Sequence, residues 1–295
     1  MVKKPQKIEV VGVISKAYLD RSGLTTLRKI NTFLESKNIK ILYEKNAARY
    51  LKANLTSAKI IMREADFVIT VGGDGTLIKL AENIAYKVVP ILAVNQGHLG
   101  ALTEVQNSEK ILEVLKTVFN RRYHLDERQM LRVTIYRQGE KIYTTLALNE
   151  VVINQGNFAR LIDLNAEINQ RKMVRFKADG IIIATTTGST AHSLSAGGPI
   201  VHPKIAAFIF TPICPAALSM RPIVIPSSRQ LTITIETHRK FKDNYVACTV
   251  DGQRSMKLEY GDQIKIRRSK RSFYLARISN TKYYKVLRDL LAWGD

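Results

Sequence analysis

The sequence predicts two regions of different class: an α/β first half built on a doubly wound parallel sheet, and a mostly β second half closed by a helix. Three observations predict it. Up to about residue 125, short apolar runs alternate with segments of helical periodicity, as strand and helix in turn require. Beyond it the apolar period falls from about 3.6 to about 2, the period of a strand with one buried face. The last dozen or so residues recover a helical face. The expected boundaries are 1–125, 126–278 and 279–295.

In the first region "IEVVGVIS" (8–15), "IKILYE" (39–44), "DFVITVG" (66–72) and "VVPILAVN" (88–95) read as strands buried on both faces. Between them "LTTLRKINTFLES" (24–36) and "SEKILEVLKTVFN" (108–120) carry apolar residues at helical spacing. A further helix is expected from Thr76, because Leu77, Leu80, Ala81 and Ile84 fall at i, i+3, i+4 and i+7. In the second region Ile162, Leu164, Ala166 and Ile168 alternate with Asp163, Asn165, Glu167 and Asn169, a half-buried strand. "QLTITIET" (230–237) repeats that pattern, and residues 131–153 read as a hairpin turning at Gln138 and Gly139. In the final helix Val286, Leu287, Leu290 and Leu291 share a face.

With 295 residues, 45% hydrophobic and 24% charged, the composition is that of an ordinary globular protein. No apolar run approaches the roughly 20 residues that span a bilayer, and "MVKKPQKIEVVGVIS" reads as a first strand, not a signal peptide. Cys214 and Cys248 stand far apart in no metal-ligand spacing, which fits two reduced thiols of a cytoplasmic protein. The formal charge of +21 calls for an anionic partner. The basic residues cluster at 170–177, 238–242 and 267–271, but no zinc-finger, basic-zipper or RNA-recognition signature accompanies them. Nucleic acid is therefore disfavoured, and phosphorylated small molecules or polyanions remain.

"VITVGGDGTLIKLAEN" (68–83) places Gly72, Gly73 and Gly75 between a strand and a helix. Glycine lets backbone amides approach a ligand closely, and a helix N-terminus adds its own N–H groups, so the turn is suited to phosphate. The alternative is a plain tight turn with Asp74 capping the helix. The spacing is neither that of a Walker A loop nor G-x-G-x-x-G. A second constellation, "ADGIIIATTTGSTAHSLSAGGPIVHP" (178–203), gathers Thr185, Thr186, Thr187, Ser189 and Thr190 around Gly188 after an apolar strand. Clustered hydroxyls and amides of this kind suit a polar ligand such as a nucleotide.

Six segments, "GGDGT" (72–76), "NQGHLGALTE" (95–104), "NEVVI" (149–153), "DGIIIATTTGSTAHSLSAGGPIV" (179–201), "PICPAALSMRPIVIP" (212–226) and "DGQ" (251–253), resemble in order and spacing the motifs of the NAD kinase family. The GGDG turn alone is also similar to that of diacylglycerol kinases, sphingosine kinases and phosphofructokinases. The resemblance implies phosphorylation of NAD to NADP by a nucleoside triphosphate or polyphosphate with a divalent cation such as Mg²⁺, held mainly by donor phosphates. It also implies a last segment that returns to the first domain, and a homodimer or homotetramer.

Carried over, the resemblance makes Asp74 the proton acceptor and, with Gly75, part of the NAD site, with Lys79 reaching a phosphate. Asn149 and Glu150 would bind the adenosine and ribose groups. Arg160, Lys177 and Asp179 would line the same site, some from a neighbouring subunit. Thr190, Ala191, His192, Ser193, Leu194 and Ser195 would frame the adenine, and Gln253 would close the pocket. Four positions depart from the family pattern: Thr186 for proline, His192 for tyrosine, Ala101 for an aromatic residue and Ala216 for histidine. They bear on NAD affinity more than on the chemistry, since Asp74, Asn149 and Glu150 are retained. The competing expectations are a lipid or sugar kinase sharing the turn, or a non-catalytic nucleotide- or nucleic-acid-binding protein.

Overall fold

The computed structural model describes residue 5 and residues 7–97, 100–105, 108–156, 161–237, 245–278 and 283–292. It divides into two compact units, Met1–Glu127 with Ser272–Asp295, and Arg128–Arg271. The return to the first unit thus begins at Ser272, inside a strand, and not at the expected 279.

In the first unit the strands are β1 (Val10–Ser15), β2 (Lys40–Tyr43), β3 (Phe67–Val71) and β4 (Pro90–Val94), interleaved with helices α1 (Arg21–Ser36), α2 (Lys45–Leu51), α3 (Ala58–Glu64), α4 (Asp74–Ala81) and α5 (Ile111–Phe119). The order is β2-β1-β3-β4, all parallel, with Val11 opposite both Ile41 and Phe67. β1, β3 and β4 are buried almost throughout, as continuous apolar runs require. β2 is an edge strand and buries only Leu42, which corrects the expectation of two buried faces.

The Asp20 carboxylate caps α1 by accepting from the Gly23 amide at 2.7 Å. Buried Leu27, Ile30 and Leu34 on α1 pack with Phe67, Ile69 and Leu92 of the sheet and Ile111 and Leu115 of α5. α2 and α3 are not among the expected elements, because seven residues make only about two turns, too few for a period to show. β1 is followed by a strand on one side and then by β3 on its other side. The strand order therefore reverses between the carboxyl ends of β1 and β3, where open α/β sheets bind ligands.

The chain passes from one unit to the other within β5 (His124–Arg137) and returns within β16 (Gln263–Arg277), whose Tyr274 and Leu275 pair in parallel with Pro90 and Ile91. In the second unit β6 (Glu140–Ala147), β8 (Ile162–Ile168), β9 (Arg171–Ala178) and β13 (Leu231–Ile235) join β5 and β16 in one sheet. A second, antiparallel sheet runs β12-β11-β10-β7-β14-β15, with β7 (Glu150–Gln155), β10 (Gly180–Thr185), β11 (Ala207–Ile213), β12 (Ile223–Pro226), β14 (Val246–Val250) and β15 (Arg254–Leu258). Inward residues of both sheets, among them Leu164, Phe176, Ile181, Phe208, Phe210 and Ile233, form one core.

The turn Gln138–Gly139 carries positive φ at both residues, as a tight hairpin needs. The hairpin it closes ends at Ala147, not 153: β7 leaves for the other sheet after Leu148 and Asn149. The short helix α6 (His192–Ser195) follows β10, and α7 (Tyr283–Leu291) ends the described chain with Leu287 buried. The side chains of Val286 and Leu290 lie outside the described set. Cys214 and Cys248 are free thiols, and no described helix is long and apolar enough to cross a membrane.

Candidate functional site

Two groupings carry the candidate residues, one in each unit. In the first unit Gly73 is the N-cap of α4, so the helix begins at Asp74, two residues earlier than expected. The Asp74 carboxylate turns back to accept from the Ala101 amide at 2.8 Å and the Leu102 amide at 3.2 Å. Burial pushes its pKa above the ordinary carboxylate value, while those two amides and the nearby Arg277 pull it down. A side chain at Gly100 would place its Cβ 2.4 Å from Asp74 Oδ1, so that bend needs glycine.

The three glycines of the turn do different things. Gly72 donates to the Val94 carbonyl at 2.9 Å, and a Cβ there would meet the Thr76 hydroxyl at 2.3 Å. Its amide is therefore used in the sheet and is not free for phosphate, which corrects the expected role. Gly73 and Gly75 face open space, and the amides of Gly73, Asp74 and Gly75 have no acceptor among the described residues. Lys79 is exposed and, five residues on, sits roughly 140° around the helix from Asp74. The cation beside the turn is instead Lys16, at the end of β1: its Nζ donates to the Gln96 carbonyl at 2.7 Å, and no carboxylate among the described residues pairs with it.

In the second unit the chain at Leu148–Glu150 is clamped from two sides. Asp251 accepts from the amides of Leu148 (2.7 Å), Asn149 (2.8 Å) and Glu150 (3.0 Å). From β10, the Thr185 hydroxyl donates to the Leu148 carbonyl at 2.6 Å and the Thr185 amide to the Asn149 carbonyl at 2.8 Å. The Glu150 side chain is 3% exposed; Oε1 lies 3.0 Å from His192 Nδ1, and Oε2 has no partner among the described residues. Burial above all, with help from Asp251 and against His192, pushes its pKa up to about 7.

Two domain families match this chain: the ATP-NAD kinase N-terminal domain over residues 11–123 and the ATP-NAD kinase C-terminal domain over 148–278. The chain belongs to the NAD kinase family. It is 41% identical over 264 residues to an NAD kinase of Geotalea daltonii, covering 89% of this chain and 91% of that protein. An NAD kinase of Geobacter sp. is 36% identical over 97% of this chain and 99% of its own. Among solved structures, yeast NADH kinase complexed with NADH superposes with a TM-score of 0.89 at 25% identity, covering 98% of this chain and 89% of that one. An NAD kinase from Archaeoglobus fulgidus in complex with ATP gives 0.72 at 25% identity, covering 95% and 99%.

Within this NAD kinase fold the hydroxyl-rich segment is more structural than its composition implied. Ser189 exchanges hydrogen bonds with Val201, Thr186 donates to the Pro203 carbonyl, and the fully buried Ser193 pairs with Thr211 at 2.9 Å. Ser193 therefore does not face a ligand; Thr190, Ala191, His192, Leu194 and Ser195 keep exposed surface, as does Gln253. Asp179 immediately precedes β10 and Lys177 lies in β9 before it, whereas Glu150 is opposite Ala184 near the far end of β10, about 16 Å along the strand from Asp179. The structure does not bring them together within one chain. Arg160 lies outside the described residues.

Sequence reasoning missed Lys16, Asp251 and Arg277. Asp251 sat in the quoted "DGQ" segment, where its positive φ of 49° and the glycine after it signal a turn whose carboxylate can reach backbone amides. Arg277 donates to the Leu102 carbonyl at 3.0 Å and pairs with Asp126 and Glu104, steadying the segment that holds Asp74. No local pattern marked it.

Proposed function

We propose that the chain is an NAD kinase whose Asp74 accepts the proton of the adenosine 2′-hydroxyl of NAD as that oxygen attacks the terminal phosphate of ATP or polyphosphate. The observation that carries the assignment is the environment of Asp74, a carboxylate held by two amides at a glycine turn whose remaining amides have no acceptor among the described residues. Phosphoryl transfer through a loose transition state needs alignment and charge neutralisation more than covalent help. A carboxylate with a pKa raised by burial accepts the hydroxyl's hydrogen bond, aims the oxygen and takes its proton late in transfer. The amides of Gly73 and Gly75 and the ammonium of Lys16 supply positive potential for the donor phosphates.

Among the described residues no three or more His, Cys, Asp or Glu side chains cluster, and both Asp74 oxygens are engaged by amides. That donor set fits a cation held chiefly by phosphate oxygens, with Asp74 adding at most one ligand; such a cation would neutralise phosphate charge. Asn149 and Glu150 recognise the adenosine and ribose groups, with Thr190–Ser195 and Gln253 beside them. The distance of Lys177 and Asp179 from Glu150 supports a homo-oligomer in which these residues serve a neighbouring copy. Incubating the pure protein with NAD, Mg²⁺ and either ATP or polyphosphate, and measuring NADP, tests the reading; a protein that binds NAD but forms no NADP with either donor overturns it.

A further inference from the structure

Glu150 is almost fully buried, yet among the described residues only one of its two oxygens has a partner. A buried acceptor without a donor is costly, so the arrangement points to a donor supplied from outside the chain. The backbone that carries this carboxylate is fixed, because Asp251 and Thr185 hold residues 148–150 from both sides. The contact it does make is with a ring that is 66% exposed and stands where the family pattern has a tyrosine.

We propose that His192 is a positioning residue: donating from Nδ1, it holds Glu150 Oε1 so that Oε2 is left to receive a hydroxyl or amino group of bound NAD, and that contact ionises the carboxyl and releases its proton. This rests on the NAD kinase reading and adds to it a coupling between NAD binding and the protonation of Glu150.

Among the described residues few titratable groups face Glu150. α6 presents His192, and the turn after β14 presents Asp251, which is itself held by three amides. β10 carries no ionisable side chain, and Cys248 on β14 has a thiol pushed up to about 12 by burial, so it stays neutral. In the free protein the Glu150 pKa of about 7 leaves a large share of the carboxyl protonated at neutral pH. A ligand donor on Oε2 favours the ionised form, and the displaced proton leaves to solvent. Affinity is therefore lost as pH falls through 7 and is full well above it.

Titration calorimetry with NAD at pH 6, 7 and 8, in two buffers of different ionisation enthalpy, reads both affinity and proton release. The natural chain should gain about tenfold in affinity from pH 6 to pH 8 and release protons near pH 7. Glu150→Gln should bind with no such dependence. His192→Phe removes an interaction that lowers the Glu150 pKa, so its midpoint should move upward. His192→Gln, which keeps a donor, should move it back, and it serves as well if His192→Phe fails to fold. Persistence of the pH dependence in Glu150→Gln, or an unmoved midpoint in both His192 variants, overturns the proposal. A natural chain that makes NADP but binds NAD equally at all three pH values sinks only this inference; one that makes no NADP from NAD removes the functional reading and this inference together.

Discussion

Asp74 owes its character to two opposed effects, burial that raises its pKa and backbone amides that lower it, with burial the larger. Asp74→Asn keeps the shape and the place in the turn while removing the proton acceptor. Turnover should fall by about 10²- to 10⁴-fold while NAD affinity changes little; a coupled NADP assay beside calorimetry checks both, and near-normal turnover would refute the catalytic role. Glu150 gives a second test at this scale. Its folded pKa of about 7 lies above the ordinary 4.5, so the folded protein binds that proton more tightly than the unfolded chain between those values. The contribution is fully present below about 4.5 and is lost as pH rises through 7. Thermal melts of Glu150→Gln and the natural protein should accordingly diverge in favour of the variant from pH 5 to pH 8.

At the scale of elements, both groupings depend on segments fixed by contacts distant in sequence. Asp251 satisfies three amides at the point where β7 leaves the hairpin for the other sheet. Asp251→Ala should cost about 3 kcal/mol, since hydrogen bonds to a charged acceptor are individually worth roughly 1.5–3 kcal/mol. For a domain of this size that is a drop of roughly 6–12 °C in melting midpoint, and a change within error would show that other contacts fix the crossover. Gly188 packs against the same segment: an added Cβ would lie 2.3 Å from the Asn149 carbonyl oxygen, a backbone atom that cannot rotate away. Gly188→Ala should destabilise by about 1–3 kcal/mol in a urea titration and weaken NAD binding, because Asn149 must move.

For the whole molecule, the separation of Lys177 and Asp179 from Glu150 bears on assembly. If neighbouring copies share these residues, Asp74→Asn and Asp179→Ala chains, each deficient alone, should regain activity when co-expressed, because mixed assemblies contain intact combinations. Failure of the mixture to exceed its components would count against sharing. The two-unit organisation was legible in one dimension because each unit obeys its own period: runs such as 67–71 and 90–94 are almost wholly apolar and buried throughout, while 162–168 alternates. The same holds for the turn glycines and the position of Asp74, whose chemistry is local to a strand–helix junction. What folding alone settled is which polar groups remain free. The hydroxyls of Thr186, Ser189 and Ser193 sit in a run that reads as a ligand loop, yet burial pairs them with Pro203, Val201 and Thr211. Asp251 joins Glu150 across 101 residues, Arg277 reaches Leu102 across 175, and Lys16, from the end of β1, stands beside the glycine turn. Periodicity records which face of an element is buried; it carries no record of which distant residue meets that face, and hydrogen bonds are decided by that meeting.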